Sequence, residues 1–547
     1  MPKSDSRAAE DYRGRREITA LEEGPFTRLD GVPLTVTLDV PFERLAPGPT
    51  GGRFATVLRL EDSASAPATT ESADPWNYVN LPCPSDLEEL LGDRRFLGQH
   101  AYGVAASTLE LFEGTLGRRL PWRSRGHQLT LRIFEPIPFE ETGYNGQRGE
   151  VRFGHIRDGR ARRHVPLALY RDLVAHEVTH AILDGYRPHF SDPDATLDEH
   201  ALHEGVADVV AMLSVFSSTS RVEQQIDAST VALGGAAESD DALTASGLFG
   251  VADGLYSRQA LRRSVANSTP ADWRAEHEPH RRGEVLVRAL MDTVMAMWQL
   301  RMNHPGGRSS SYQVAEAGAR SGRQVLRMLI RGIGYTPPVD TTFEDLVRGV
   351  LAADIAVIPD DEWDYRGVLR SAFARLRISV GGDNDLDGLA GLDGLRYPIR
   401  LSSLGSDPEE VYRFLWENPT ILRAAAIDPD APLVVERVRP SQRVGPDGFV
   451  VTEIGASFVQ MVTLTQREAR QRLGLRVRGP VVLRGGGLLR FDEGGRLSFA
   501  ALKPVLDTER QQARLDESAG PPTVDQSPST VAERRAAVFG HLHSAAP

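Results

Sequence analysis

The chain has 547 residues, 41% apolar and 25% charged, enough for several domains with sizeable cores. It lacks any apolar run of the roughly 18 residues that a membrane helix needs, and a net charge of −12 argues against nucleic acid as the main partner. Cys83 is the single cysteine, so no disulfide can form within the chain, and a structural role is expected for it.

The N-terminus is charged and shows no apolar signal segment. The expectation is a cytoplasmic protein, or one exported by a non-Sec route. Residues 1–24 are polar and read as disordered. Residues 25–99 read as an N-terminal β/α segment, because apolar and polar residues alternate through Pro33–Leu38 and Phe54–Leu60 and a helical pattern begins at Ser85. That pattern runs to about Leu120, and Gln128–Phe134 reads as a strand.

Leu173, Val174, Val178, Ala181 and Ile182 then form an apolar stripe at helical spacing, with Gly185 where a helix stop is expected. On this helix lies His176-Glu177-Val178-Thr179-His180. Positions i and i+4 share a helix face, so His176 and His180 can aim two imidazoles at one metal ion. Glu177 leaves the helix about 100° away, beside the metal, where a base acting on metal-bound water belongs. Hydrolytic zinc takes three protein ligands and keeps one open position. The next apolar helix, Leu202–Leu213, carries the acids Glu204 and Asp208 at i and i+4. One carboxylate can bind metal and the other can hold the free ring nitrogen of a liganding histidine. His189, His200 and His203 are the competing donors, with His203 expected just behind the ligands. A metzincin would need Gly at 183 and His at 186; Leu183 and Tyr186 stand there.

Further on, Glu276–Gly283 precedes a helix over 285–300, and late helices are predicted near 312–333, 343–352 and 365–377. Residues 381–406 read as a flexible linker. Within them Asp383, Asp385 and Asp387 have calcium-loop spacing, but Gly394 occupies the twelfth position, where an acid is needed, so Ca2+ is the weaker alternative. Residues 407–507 read as an accessory β-rich domain and 508–547 as a tail.

The His176–His180 pattern followed by Glu204 and Asp208 resembles the thermolysin-like gluzincin zinc metallopeptidases. The resemblance extends to Tyr144–Gln147 and Gly149–Gly154, which look like the family's substrate-binding edge strand, and to Asp172. It implies an α+β fold: a zincin-type peptidase domain over residues 100–380, with a mixed sheet, an active-site helix and a mostly helical C-terminal lobe. It also implies His176, His180 and Glu204 as Zn2+ ligands, with Asp208 and His203 behind them and Glu177 activating the zinc-bound water. His280, with His277 as runner-up, is implied as the histidine that stabilises the transition state, oriented by Asp272, Glu276 or Glu278. Arg263 is similar to the family's carbonyl-binding arginine. The implied reaction is zinc-dependent hydrolysis of peptide bonds in a peptide or protein substrate. Two alternatives stand beside it. One is an aminopeptidase-like gluzincin, although no Gly-x-Met-x-Asn strand precedes His176; the other is a non-catalytic zincin scaffold, a class that usually loses the base or a ligand.

Overall fold

A computed structural model describes residues 14–43, 45, 52–58, 71–72, 80–124, 127–135, 142–158, 163–216, 218–220, 222–223, 273–303, 310–382, 386–392, 394–397, 407–444, 448 and 450–518. Arg263, Asp272, Asp383, Asp385, residues 1–13 and most of the expected tail lie outside them. The fold is mixed α+β. No described helix is long and apolar enough to cross a membrane.

Strand β1 (Arg15–Leu21) pairs antiparallel with β2 (Thr35–Pro41), with Ile18 opposite Leu38. Ile18, Ala20, Leu38 and Val40 are buried. One apolar face on each strand is what fixes such a ribbon on a core. The expected disorder of residues 1–24 therefore does not hold from Gly14 onward. The ribbon packs on α1 (Arg94–Leu116), whose N-cap Asp93 accepts the Arg95 and Phe96 amide hydrogens and which ends at Gly117 with φ 64°.

A five-stranded mixed sheet follows. Its order is Glu71–Ser72, β3 (Phe54–Leu58), β4 (Leu129–Phe134), β6 (Glu150–Arg152) and β5 (Gly143–Asn145). β3, β4 and β6 are parallel, and β5 closes the edge antiparallel to β6. Beside the sheet lie α2 (Arg171–Tyr186), α3 (Leu197–Phe216) and α4 (Pro279–Asn303). They are followed by α5 (Ser311–Ile333), α6 (Phe343–Val357) and α7 (Tyr365–Arg375), close to the predicted late helices. Helix α2 runs one residue past Gly185 instead of stopping there. A Cβ at Gly185 would lie 1.9 Å from the Pro121 carbonyl oxygen, so this glycine serves a close backbone approach inside the last turn.

The accessory region is a four-stranded antiparallel sheet in sequence order: β7 (Leu433–Val444), β8 (Val450–Leu464), β9 (Val481–Phe491) and β10 (Leu497–Lys503). β-like runs over Leu433–Val438, Gly448–Leu464 and Val481–Phe491 in the sequence mark three of the four strands. The chain before the sheet reads as a flexible linker, and the structure differs. Leu386 is buried in the main core, while Leu392 and Tyr397 are buried under the sheet. Gly388 has φ +66°, and a Cβ there would lie 2.1 Å from the Ala500 carbonyl oxygen. The Asp387 carboxylate accepts the Leu389 amide at 3.0 Å, and its backbone oxygen accepts the Ala500 amide. The tail likewise starts later than residue 508. A helix over Thr508–Ser518 buries Gln511, whose amide donates to the carbonyls of Arg484 and Val505.

The accessory sheet is fixed to the helical lobe. Leu488, Phe499 and Ala501 belong to the same apolar core as α2–α7. Arg484 on β9 is fully buried and reaches Glu199 of α3 at 3.5 Å and Asp340 at 3.3 Å. An arginine this deep has to be paired, because an isolated buried charge is too costly.

Candidate metal centre

Helix α2 brings its two histidines together as the i, i+4 spacing requires. The His176 and His180 rings stand edge to face at 4.5 Å, with their Nε2 atoms 2.9 Å apart. Glu204, from α3, places Oε2 at 3.3 Å from His180 Nε2 and 3.7 Å from His176 Nε2. Tetrahedral zinc with bonds near 2.0–2.1 Å separates its ligand atoms by about 3.3 Å. The three observed separations bracket that value. Among the described residues this is the group of His, Cys, Asp or Glu side chains with metal-ligand spacing.

Burial and hydrogen bonding fit a cation at the same point. Glu204 is fully buried; among the described residues no hydrogen bond of good geometry reaches either of its oxygens, and the imidazoles of His180 and His280 stand 3.3 and 3.2 Å from Oε2. A buried carboxylate in that state is costly unless a positive charge meets it. Asp208, one turn along α3, accepts the Nδ1–H of His176 at 3.0 Å, which leaves His176 Nε2 facing Glu204. Burial alone would lower the His176 pKa, but Asp208, Glu177 and Glu204 raise it to about 9. Burial drives the His180 pKa well below its ordinary value, so this imidazole is neutral and has a lone pair to give. His203 stacks flat on the His180 ring at 4.5 Å and 9°, which limits the ring's rotation.

Glu177 follows His176 on α2 and is buried. Its Oε2 accepts the backbone N–H of Tyr144 at 2.9 Å, so the edge strand β5 sits directly against the motif. Tyr144 is tied a second time, its hydroxyl donating to Asp184 of α2 at 2.9 Å. Sequence reading placed an edge strand here but not this bond, since it depends on the approach of two segments 33 residues apart.

His280 comes from α4. It lies inside the first turn of that helix, after Pro279 in the first helical position, and not before the helix as expected. Its Nε2 is 3.2 Å from Glu204 Oε2, and its Nδ1 is 2.9 Å from Glu278 Oε1. Glu278 also accepts the amides of His280 and Arg281, capping the helix that carries the histidine. Of the two described acids considered for this ring, Glu276 and Glu278, Glu278 is the one that meets it. Burial opposes charge on His280, but Glu204 and Glu278 outweigh it and raise the pKa to about 10. His277 is exposed.

The remaining candidates sit elsewhere. His189 lies 2.5 Å from both Asp192 and Glu436, and His200 lies 3.3 Å from the Asp192 carbonyl oxygen. Asp172 is half-buried at the start of α2 and accepts the Leu173 amide.

Two glycines that sequence reading passed over make the meeting of α3 and α4 possible. A Cβ on Gly205 would come within 2.8 Å of the Gly283 carbonyl oxygen, and one on Gly283 within 2.8 Å of the Ala201 carbonyl oxygen. Each glycine is close in sequence to a site residue, Glu204 or His280. Their contact is what lets the two helices touch backbone to backbone at the site.

No protein-family model matches this chain, and no curated protein matches it either.

Proposed function

We propose that this chain is a zinc-dependent endopeptidase with a zincin-type catalytic fold of the thermolysin-like kind. The observation that carries the reading is the convergence of His176, His180 and Glu204 at the spacing of tetrahedral ligands, with Glu177 next to His176 on the same helix. His176 Nε2, His180 Nε2 and a Glu204 oxygen would hold the metal, and Asp208 would keep His176 in the correct tautomer. A zinc ion held there supplies Lewis acidity, lowering the pKa of water to about 7 and polarising a carbonyl.

The chain's own residues do the rest. Glu177 accepts the proton of the attacking water as its oxygen adds to the scissile carbonyl carbon. His280, held by Glu278 at Nδ1, donates from Nε2 to the oxygen on which negative charge builds. Glu177 then delivers its proton to the peptide nitrogen, and the carbon–nitrogen bond breaks. The edge strand β5 adjoins Glu177 and offers the kind of sheet edge on which an extended peptide is held by its backbone.

The test is Glu177→Gln. The variant should bind one equivalent of zinc, as the wild type does, while peptide turnover falls by a factor on the order of 10²–10⁴. Wild-type turnover in that variant, or a wild-type protein that takes up no zinc, would defeat the proposal.

A further inference from the structure

A cavity lies where α1, the first turn of α2, the end of α3 and the middle of α5 meet. Its volume is about 170 Å³, and it is partly open to solvent. Three arginines line it, Arg171 from α2 and Arg323 and Arg327 from α5, and no acid does among the described residues. Val104 and Leu111 of α1 and Leu326 of α5 give it apolar walls.

Arg171 is the most buried of the three arginines, 8% exposed. Its guanidinium donates to the carbonyl oxygens of Glu22 at 3.5 Å and Ser214 at 3.2 Å, and it makes no ion pair among the described residues. The charge that reaches it is that of Glu22, from beyond ion-pair distance. A guanidinium carries five N–H groups, so donors remain, and a buried cation without a close counter-charge is costly.

On α5, Arg323 and Arg327 stand one turn apart on one face, an arrangement of like charges that destabilises a helix. Glu316, the only acid of that helix, pairs with Arg320 at 2.8 Å. The two acids of α1, Glu110 and Glu113, pair with Arg15 and Arg53. Burial, then Arg327 and Arg320, lower the Arg323 pKa, in keeping with cations gathered at one wall.

The apolar walls set the other half of the ligand. An inorganic oxyanion would leave Val104, Leu111 and Leu326 unmatched, whereas an apolar cavity of about 150 Å³ takes up benzene. A body of that size carrying one carboxylate matches both halves, since a carboxylate fits the fork of a guanidinium.

We propose that this cavity binds a small organic monocarboxylate with a compact apolar body, its carboxylate among the guanidiniums of Arg171, Arg323 and Arg327 and its body against Val104, Leu111 and Leu326. The ligand would tie the first turn of the histidine-bearing helix to α1 and α5. None of the proposed metal ligands lines the cavity, so the inference holds whether or not the chain hydrolyses peptides.

The experiment titrates benzoate into the full-length protein at constant ionic strength, read by saturation-transfer NMR on the ligand. For a ligand this small the expected Kd is about 1 mM. Benzyl alcohol, the same ring without the charge, should bind about tenfold more weakly, and sulfate at about 10 mM should leave the benzoate signal in place. Arg327→Gln removes an exposed charge and should weaken benzoate about 3–10-fold. Ser107→Phe puts a ring into the cavity from a half-buried position of α1 and should abolish binding. No benzoate signal up to about 20 mM would overturn the proposal. So would equal binding of benzyl alcohol, displacement of benzoate by sulfate, or an affinity unchanged in either variant, because the carboxylate would then sit elsewhere, the metal centre included.

Discussion

Asp208 touches no reacting atom in this arrangement, yet its removal should leave a distinctive trace in metal binding. Its carboxylate, 6% exposed, accepts the Nδ1–H of His176 at 3.0 Å and is the largest of the influences that raise that ring's pKa to about 9. Two consequences oppose each other. The carboxylate makes the imidazole a better ligand, and such partners are worth about 10–100-fold in metal affinity. It also makes the ring hold its proton, which a metal must displace. At pH 7 the gap of about two units from a pKa of about 9 costs about 100-fold in apparent affinity, and this cost vanishes above pH 9. The wild-type zinc affinity should therefore climb about tenfold per pH unit between 7 and 9. Asp208→Asn keeps the shape but not the charge. It should bind zinc about 10–100-fold more weakly than wild type near pH 9.5, and nearly as well as wild type at pH 7, since it no longer pays most of the proton cost. Titration against a chelator of known affinity at both pH values measures this. A wild-type affinity flat between pH 7 and 9, or a variant deficit equal at both, would refute the reasoning.

Three further outcomes follow from the packing. Gly283→Ala puts a methyl group 2.8 Å from the Ala201 carbonyl oxygen and should force α4 off α3, at a cost of about 1–3 kcal/mol. Because the three proposed ligands lie on α2 and α3, zinc content should survive while turnover falls with the displacement of His280; metal analysis beside kinetics separates the two. Arg484→Met leaves Glu199 buried without its cation, while Asp340 keeps Arg510, and urea unfolding should show a loss of about 3–5 kcal/mol. Glu199 already has a pKa raised by burial to about 7, so its folded form holds the proton more tightly than the unfolded chain, and stability falls as pH rises from the ordinary carboxylate range toward 7. The Arg484→Met deficit should accordingly be larger at about pH 8 than at about pH 6. His100 accepts the Leu21 amide in the core, and burial holds its pKa down to about 3, against an ordinary value of 6.5. Its neutral form stabilises the fold above 6.5, and that contribution is lost as pH falls from 6.5 toward 3, up to about 4–5 kcal/mol. Melting of His100→Asn across that range should be visibly less acid-sensitive than the wild type, and identical slopes would discount the role.

The local half of the site was legible in the order of residues, because helix phase is a short-range property. Spacing of four residues fixes that His176 and His180 share a face, and that Glu204 and Asp208 share another, whatever surrounds them. The apolar stripes likewise announce the helices near 171–185, 202–213 and 285–300. Apolar alternation marks three of the four accessory strands. It does not mark β1 as ordered, because a short strand gains its stability only from the partner strand and helix it meets.

What the tertiary structure alone decided is which faces meet. Nothing local in Tyr144 says that its amide will anchor Glu177, nor in His280 that it will meet Glu204; both depend on segments arriving from elsewhere in the chain. The choice of Glu204 over His189 and His200 beside the two helical histidines is of the same kind. Gly205 and Gly283 set how closely α3 and α4 can approach, and Arg484 and Arg490 lock a sheet encoded nearly 300 residues later onto the helices of the site. Periodicity acts over one or two turns. The convergence of distant donors on one point is set by packing and by the need to pair every buried charge, and those constraints exist only once the whole core has closed.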